Sequence, residues 1–293
     1  MRILLIGNTG QLGWELERSL APLGELYACD YPHVNLANID SIHSLFTQCT
    51  PEIVINAAAY TAVDRAETEP DLANAVNAVA PAILAQLSLQ AGAAFIHYST
   101  DYVFDGLKGA PYTEDDLPHP LSVYGSSKLA GEQGVQQVGG AYLLLRTSWV
   151  YSLRGDSFVT KVLGWARKQP VLRIVVDQVG SPTWARMLAE ISAQILAKAD
   201  AGVAGWIGER RGLYHLAGNG AVSRLEWAQA ILRFDPRREE QVTRDVKPVL
   251  TEEFPTPARR PLYSALDCQR FSQVFGINLP PWETALQLAM DIK

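Results

Sequence analysis

Three features of this 293-residue chain predict an α/β fold built on a doubly wound parallel sheet. Short apolar runs alternate with helical stretches through the first half. The runs are nearly continuous in apolar residues, as strands covered on both faces must be. A glycine-rich turn joins the first run to the first helical stretch, where sheets of this kind hold phosphates.

Ile3–Ile6 is the first strand. Its four apolar residues run straight into glycine, with no small-residue cleavage site behind them, so they do not read as a signal sequence. Strands follow at Leu26–Cys29, Ile53–Asn56, Phe95–Tyr98 and Tyr142–Arg146, with helical segments that include Gln11–Ala21, Asp71–Ala91 and Tyr124–Val138. Repeated βαβ units imply right-handed crossovers. After Trp149 the pattern loosens. A helix is expected at Ser157–Lys168, a strand at Val171–Val176, a helix at Trp184–Lys198 and a short strand at Gly212–Leu216. Ser223 and Glu226 have the spacing of a capping box and open a helix to about Phe234. Asp235–Val246 is polar and reads as a solvated loop, and the prolines of Pro255–Pro261 exclude helix and central strand. The chain thus divides into a Rossmann dinucleotide-binding domain over 1–150 and a smaller C-terminal, substrate-binding lobe over 151–293. Some segments of that lobe are expected to pack back on the first domain.

Composition bounds the function. The hydrophobic set makes up 48% and charged residues 19%, an ordinary globular balance. The net charge of -6 provides no basic field for a nucleic acid polymer, so any anionic ligand must meet local cations. No apolar run approaches the roughly 20 residues of a membrane span. Cys29, Cys49 and Cys268 are widely separated and read as free thiols in a reducing, cytoplasmic setting. The five histidines lack metal-ligand spacing.

Gly7, Gly10 and Gly13 follow the first strand and open a helix. Glycine there permits a tight turn, close approach to a pyrophosphate and tight helix–strand packing. The helix N-terminus adds free N–H groups and a partial positive charge. Asp30 ends the second strand about 20 residues on, where a carboxylate accepts hydrogen bonds from a ribose. This favours NADH and leaves NADPH open. Tyr124 and Lys128 are four apart and share a helix face. An adjacent cation is expected to lower the tyrosine pKa, and a tuned tyrosine can give a proton to a carbonyl oxygen as hydride arrives. The polar run Ser99-Thr100-Asp101 leaves the fourth strand at its C-terminal end, where ligands bind.

With these motifs the chain resembles the extended short-chain dehydrogenase/reductases. The resemblance rests on the GxxGxxG loop, the Ser99/Thr100–Tyr124–Lys128 set and Asn56-Ala57-Ala58. It extends through Gly10–Leu16, Asn56–Asp64, Tyr98–Phe104, Arg146–Tyr151, Asp177–Thr183 and Pro255–Pro261. It implies that Gly10, Gln11, Leu12, Asp30, Ala59, Tyr60, Thr61 and Tyr98 line the coenzyme, NADPH or NADH. Thr100, Tyr124 and Lys128 would be catalytic, with Thr100, Asp101 and Trp149 facing a dTDP-sugar. Arg259 and Arg260 would hold the diphosphate, since guanidinium groups suit phosphate oxygens. Some members bind Mg2+ through acids at a homodimer contact, and Glu15 matches one of them. The implied reaction is reduction of the C4 ketone of dTDP-4-dehydro-L-rhamnose. A 4,6-dehydratase would carry Asp-Glu after the threonine, where this chain has Asp101-Tyr102. An epimerase, and a non-catalytic regulatory subunit of the same fold, stay open.

Overall fold

The computed structural model describes residues 1–199 and 202–291; the last two positions of the 151–293 lobe lie outside the described residues. Six strands form the central sheet: β1 (Arg2–Ile6), β2 (Glu25–Cys29), β3 (Ile53–Asn56), β4 (Ala94–Thr100), β5 (Tyr142–Thr147) and β6 (Gly212–His215). Their order is β6-β5-β4-β3-β1-β2, and every neighbouring pair is parallel. The chain crosses from β2 over β1 to β3, so the strand order reverses beside β1. Ligands of such sheets sit in the crevice at that reversal, outside the C-terminal strand ends.

The main helices are α1 (Gln11–Leu20), α2 (Ile39–Gln48), α3 (Pro70–Gln90), α4 (Val123–Val138), α5 (Phe158–Ala166), α6 (Ala185–Ala197) and α7 (Arg224–Phe234). They cover both sheet faces, which is why Ile3, Leu4, Leu5 and Ile6 are all fully buried. Full burial of such a side chain contributes about 1.5–3 kcal/mol. Ile3 and Leu5 pack with Leu12 and Leu16 of α1 and Leu188 and Ile195 of α6. Leu4 and Ile6 pack with Ile42 of α2, Leu84 of α3 and Val135 of α4. Helix α2 was not anticipated from the sequence. Its signal is there, in Ile42 and Leu45 on one buried face and Asn38 capping the Ser41 amide at 3.1 Å.

Helix α3 is long and apolar enough, by length and composition, to cross a membrane. It packs against α2, α4 and the sheet. A π-helical turn at Ala75–Val79 interrupts it. Such turns often mark functional sites. Here it brings buried Asn77 against Tyr60, accepting from its N–H at 2.9 Å and donating to its C=O at 3.0 Å. The loop after β3 is fixed by this pair.

The second half does not stay in one place. The predicted short strand at Gly212 becomes β6 and pairs with β5, and α6 packs on α1. A separate core gathers Tyr151, Val159, Val162, Leu172, Trp227 and Ile231. Here Val171–Val175 pairs in parallel with Asp245–Val249. The expectation of a loop over Asp235–Val246 is therefore wrong at its end, where Asp245 and Val246 enter a strand. Lys247 and Pro248 hide its apolar pattern, and pairing with a distant strand supplies the missing order. Asp235 is also no solvated residue: it is buried and accepts from Arg167 at 3.0 Å.

Candidate active site

The C-terminal ends of β1, β3 and β4 open onto a cleft of about 470 Å³. Gly7 and Gly10–Leu12 form one wall, and Thr100, Tyr124, Lys128 and Trp149 another. Gly7 has φ +92°, and a Cβ there would lie 2.6 Å from the Ala58 amide nitrogen. At Gly13 a Cβ would meet the Gly7 carbonyl oxygen at 1.8 Å. Both glycines are thus demanded by backbone contact, Gly7 with the segment after β3 and Gly13 within the loop. Gly13 does not line the cleft; it lets α1 seat against the turn. Gly10 caps α1 with extended backbone and no side-chain hydrogen bond. The helix N-terminus therefore meets the cleft with backbone N–H groups, the arrangement that suits a pyrophosphate.

Asp30 lies at the far end. It accepts from the Thr9 hydroxyl and, at 3.3 Å, the Thr9 N–H, and from the Tyr31 N–H at 2.8 Å. These bonds fix the carboxylate beside the phosphate loop. Ala59 and Thr61 line the cleft, whereas Tyr60 does not: its phenol donates to Glu69 at 2.5 Å on the outer side. Gln11 lines the cleft and also accepts the Ser152 N–H at 2.8 Å, tying the loop to the second lobe. Tyr98 contributes its ring and backbone, because its hydroxyl is turned to Ser192 of α6 at 2.7 Å.

The catalytic candidates come together. Ser122 caps α4 by accepting the Gly125 N–H at 3.1 Å, which fixes the first turn carrying Tyr124. Gly125 has no room for a side chain: a Cβ would lie 2.3 Å from the Tyr102 carbonyl oxygen. Burial raises the Tyr124 phenol above its ordinary pKa, and the Thr100 hydroxyl beside it works in the opposite sense. The expectation that Lys128 lowers this pKa is overturned. The Lys128 ammonium turns instead to the Tyr98 carbonyl at 2.7 Å and to His97 Nε2 at 3.1 Å. Burial brings its own pKa down to about 8.

Below Thr100, Asp101 is buried and its pKa is raised by desolvation, against hydrogen bonds from Ser264 at 2.5 Å and Ser148 at 2.9 Å. Both oxygens are engaged, with Thr100 at 3.2 Å on the other. Asp101 thus anchors the cleft floor to the segment that follows Pro261.

A second cleft of about 460 Å³ adjoins the first and shares Tyr102 and Arg224 with it. Phe158, Trp165 and Phe254 give it aromatic walls, and Arg260 lines it. Arg260 is bonded through both terminal nitrogens to Asp64, at 3.1 and 2.8 Å. Arg259 is exposed and lines neither cleft, so its expected place at the diphosphate is not where the structure puts it. Glu15 lies among Arg18, Arg154, Arg186 and Glu190, with its pKa raised by burial. Among the described residues no group of three potential metal ligands occurs, and the expected Mg2+ site at Glu15 finds no support.

Sequence reasoning missed Arg224, which it read only as part of a helix opening. A signal existed: a cation in a first helical turn opposes the helix dipole and calls for another reason to be there.

Comparison with known proteins agrees with this geometry. The family model described as RmlD substrate binding domain matches residues 1–293. A dTDP-4-dehydrorhamnose reductase of Burkholderia thailandensis is 40% identical over 99% of this chain and 98% of its own length. A solved dTDP-4-dehydrorhamnose reductase of Clostridium acetobutylicum superposes with TM-score 0.90 at 34% identity, covering 99% of each chain. One of Bacillus anthracis, in complex with NADP, gives TM-score 0.88 at 33% identity, covering 98% of this chain and 97% of that one. The matches span the glycine loop, both clefts and the second lobe together, and the chain belongs to the family of the RmlD substrate binding domain.

Proposed function

We propose that this protein reduces the C4 ketone of dTDP-4-dehydro-L-rhamnose to dTDP-L-rhamnose, using NADPH or NADH. One observation carries the reading. A buried Tyr124 stands beside Thr100, in the same cleft that the glycine loop opens. The relatives' names agree with it. The cleft fits a dinucleotide, because the loop backbone is bare of side chains where a pyrophosphate must approach α1.

When bound, the reduced nicotinamide supplies a hydride to the ketone carbon. Thr100 donates a hydrogen bond to the ketone oxygen and orients it. Tyr124 transfers its phenolic proton to that oxygen as negative charge develops there. The raised pKa suits this direction, since a phenol that ionised early would have no proton to give. Lys128, one helical turn further along, is turned from the phenol to the Tyr98 carbonyl, where it is placed to hold the coenzyme's ribose beside the reacting centre. Asp101, through its bonds to Ser148 and Ser264, keeps the floor under Thr100 rigid. The three cysteines are free thiols in the structure, and the reading places the enzyme in the cytoplasm.

The test is the loss of NADPH absorbance when purified protein meets the ketosugar nucleotide. One coenzyme consumed per sugar reduced is the expected result. No consumption, or interconversion of C4 epimers without net oxidation of coenzyme, overturns it. The coenzyme preference has its own test. Thr9 and Asp30 line the adenosine end, and the cations of the cleft, Lys128 and Arg224, lie elsewhere along it. NADH is therefore expected to work, with NADPH also accepted. Asp30→Ala should weaken NADH more than NADPH, because NADH loses a ribose hydrogen bond while NADPH loses a repulsion. Equal responses in binding titrations would show that Asp30 does not read the ribose.

A further inference from the structure

Arg224 is the first residue of α7, directly after the cap Ser223. The positive end of the helix dipole lies there, so the helix gains nothing from the charge. Among the described residues Arg224 has no ion-pair partner; the charged neighbours acting on it are Asp101 and Arg260. Its guanidinium lies over the indole of Trp149, 3.6 Å from the ring centre, and 4.8 Å from that of Phe158. The indole is itself locked. It lies so close to Gly180 that a Cβ there would be 2.4 Å away, and it stacks on Trp227 at 5.4 Å. Trp149 is the one non-glycine residue with positive φ among the described residues, at 45°. A strained backbone thus presents the ring that supports Arg224.

Arg224 also lines both clefts, beside Tyr124 and Lys128 in one and Arg260 in the other. In a sugar nucleotide the diphosphate stands between the sugar and the nucleoside. A substrate with its ketone at Tyr124 and its base among Phe158, Trp165 and Phe254 must pass its diphosphate across this junction. The Arg260 charge is already matched by Asp64. Stacking covers one face of the Arg224 guanidinium and leaves its edge donors for oxygens, the geometry that phosphate recognition uses. We propose that Arg224, held on Trp149, is the residue that grips the diphosphate and so selects a sugar nucleotide over a free sugar. This inference rests on the reductase reading above.

The experiment titrates wild-type protein, Arg224→Gln and Arg224→Lys calorimetrically with dTDP, dTDP-rhamnose, thymidine and NADPH, and measures steady-state reduction. Arg224→Gln should weaken dTDP by about ten- to a hundredfold, the scale of a charge-assisted hydrogen bond. The KM for the sugar nucleotide should rise by a similar factor, with kcat within about threefold of wild type. Thymidine and NADPH should bind as before, and Arg224→Lys should recover only part of the loss, since an ammonium lacks the planar fork. Unchanged dTDP affinity in Arg224→Gln overturns the proposal. So does an equal loss for thymidine or NADPH, which would make Arg224 a prop for Trp149. Wild-type protein that binds NADPH but neither dTDP nor dTDP-rhamnose would instead sink the sugar-nucleotide reading itself.

Discussion

Tyr124→Phe is expected to lower turnover by at least about a hundredfold, the usual scale for a general acid. The ring should stay in place. It packs edge-on against Tyr102 at 5.6 Å, and phenylalanine preserves that contact. NADPH affinity should therefore survive, so the loss falls on the chemical step. Lys128 gives the same argument a pH signature. Its folded pKa is about 8, depressed by burial, with Glu132 acting to raise it. Its positive charge is present below that value and lost above it. Values of kcat/KM, which report the free enzyme, should fall as pH rises through about 8. Lys128→Met should remove that limb and lower activity at every pH. Near-normal turnover in Tyr124→Phe would take Tyr124 out of the mechanism.

Gly13→Ala is expected to damage fold and coenzyme binding together. The new Cβ would lie 1.8 Å from the Gly7 carbonyl oxygen and 2.5 Å from the Gly7 carbonyl carbon. Both are backbone atoms, so no side chain can swing aside. Overpacking of this kind costs about 1–3 kcal/mol or more, and the displaced loop is the one that meets the pyrophosphate. Melting temperature should drop, and NADPH should bind more than about tenfold more weakly. Gly10→Ala is the contrast. Its Cβ would meet only the Gly7 carbonyl oxygen, at 3.4 Å, so the fold should tolerate it while coenzyme affinity falls. A Gly13→Ala protein that melts and binds like wild type would show that the loop is free to move.

Much of the fold was legible because its signals are local. The strands at Ile3, Leu26, Ile53, Phe95 and Tyr142 are written as apolar runs, and all five occur within a few residues of those bounds. Ser223 and Glu226 form the capping box their spacing announced, with Ser223 accepting the Glu226 N–H at 3.1 Å. Helix α2 was passed over although Ile42, Leu45 and the Asn38 cap announce it. The strand at Asp245–Val249 was passed over because only a distant partner orders it.

The sequence by itself determined the parallel sheet, the phosphate loop and the tyrosine–lysine face. Each depends on a period or a steric demand carried within a few adjacent residues. Only the tertiary structure decided where charge resides. Arg260 meets Asp64 from 196 positions away, Lys128 meets His97 from 31, and Arg224 comes to rest on Trp149 across the junction of two clefts. The same packing raises the Tyr124 pKa that the motif alone suggested would fall. Periodicity is a property of neighbouring residues, whereas burial and ion pairing depend on which distant segments the fold brings into contact.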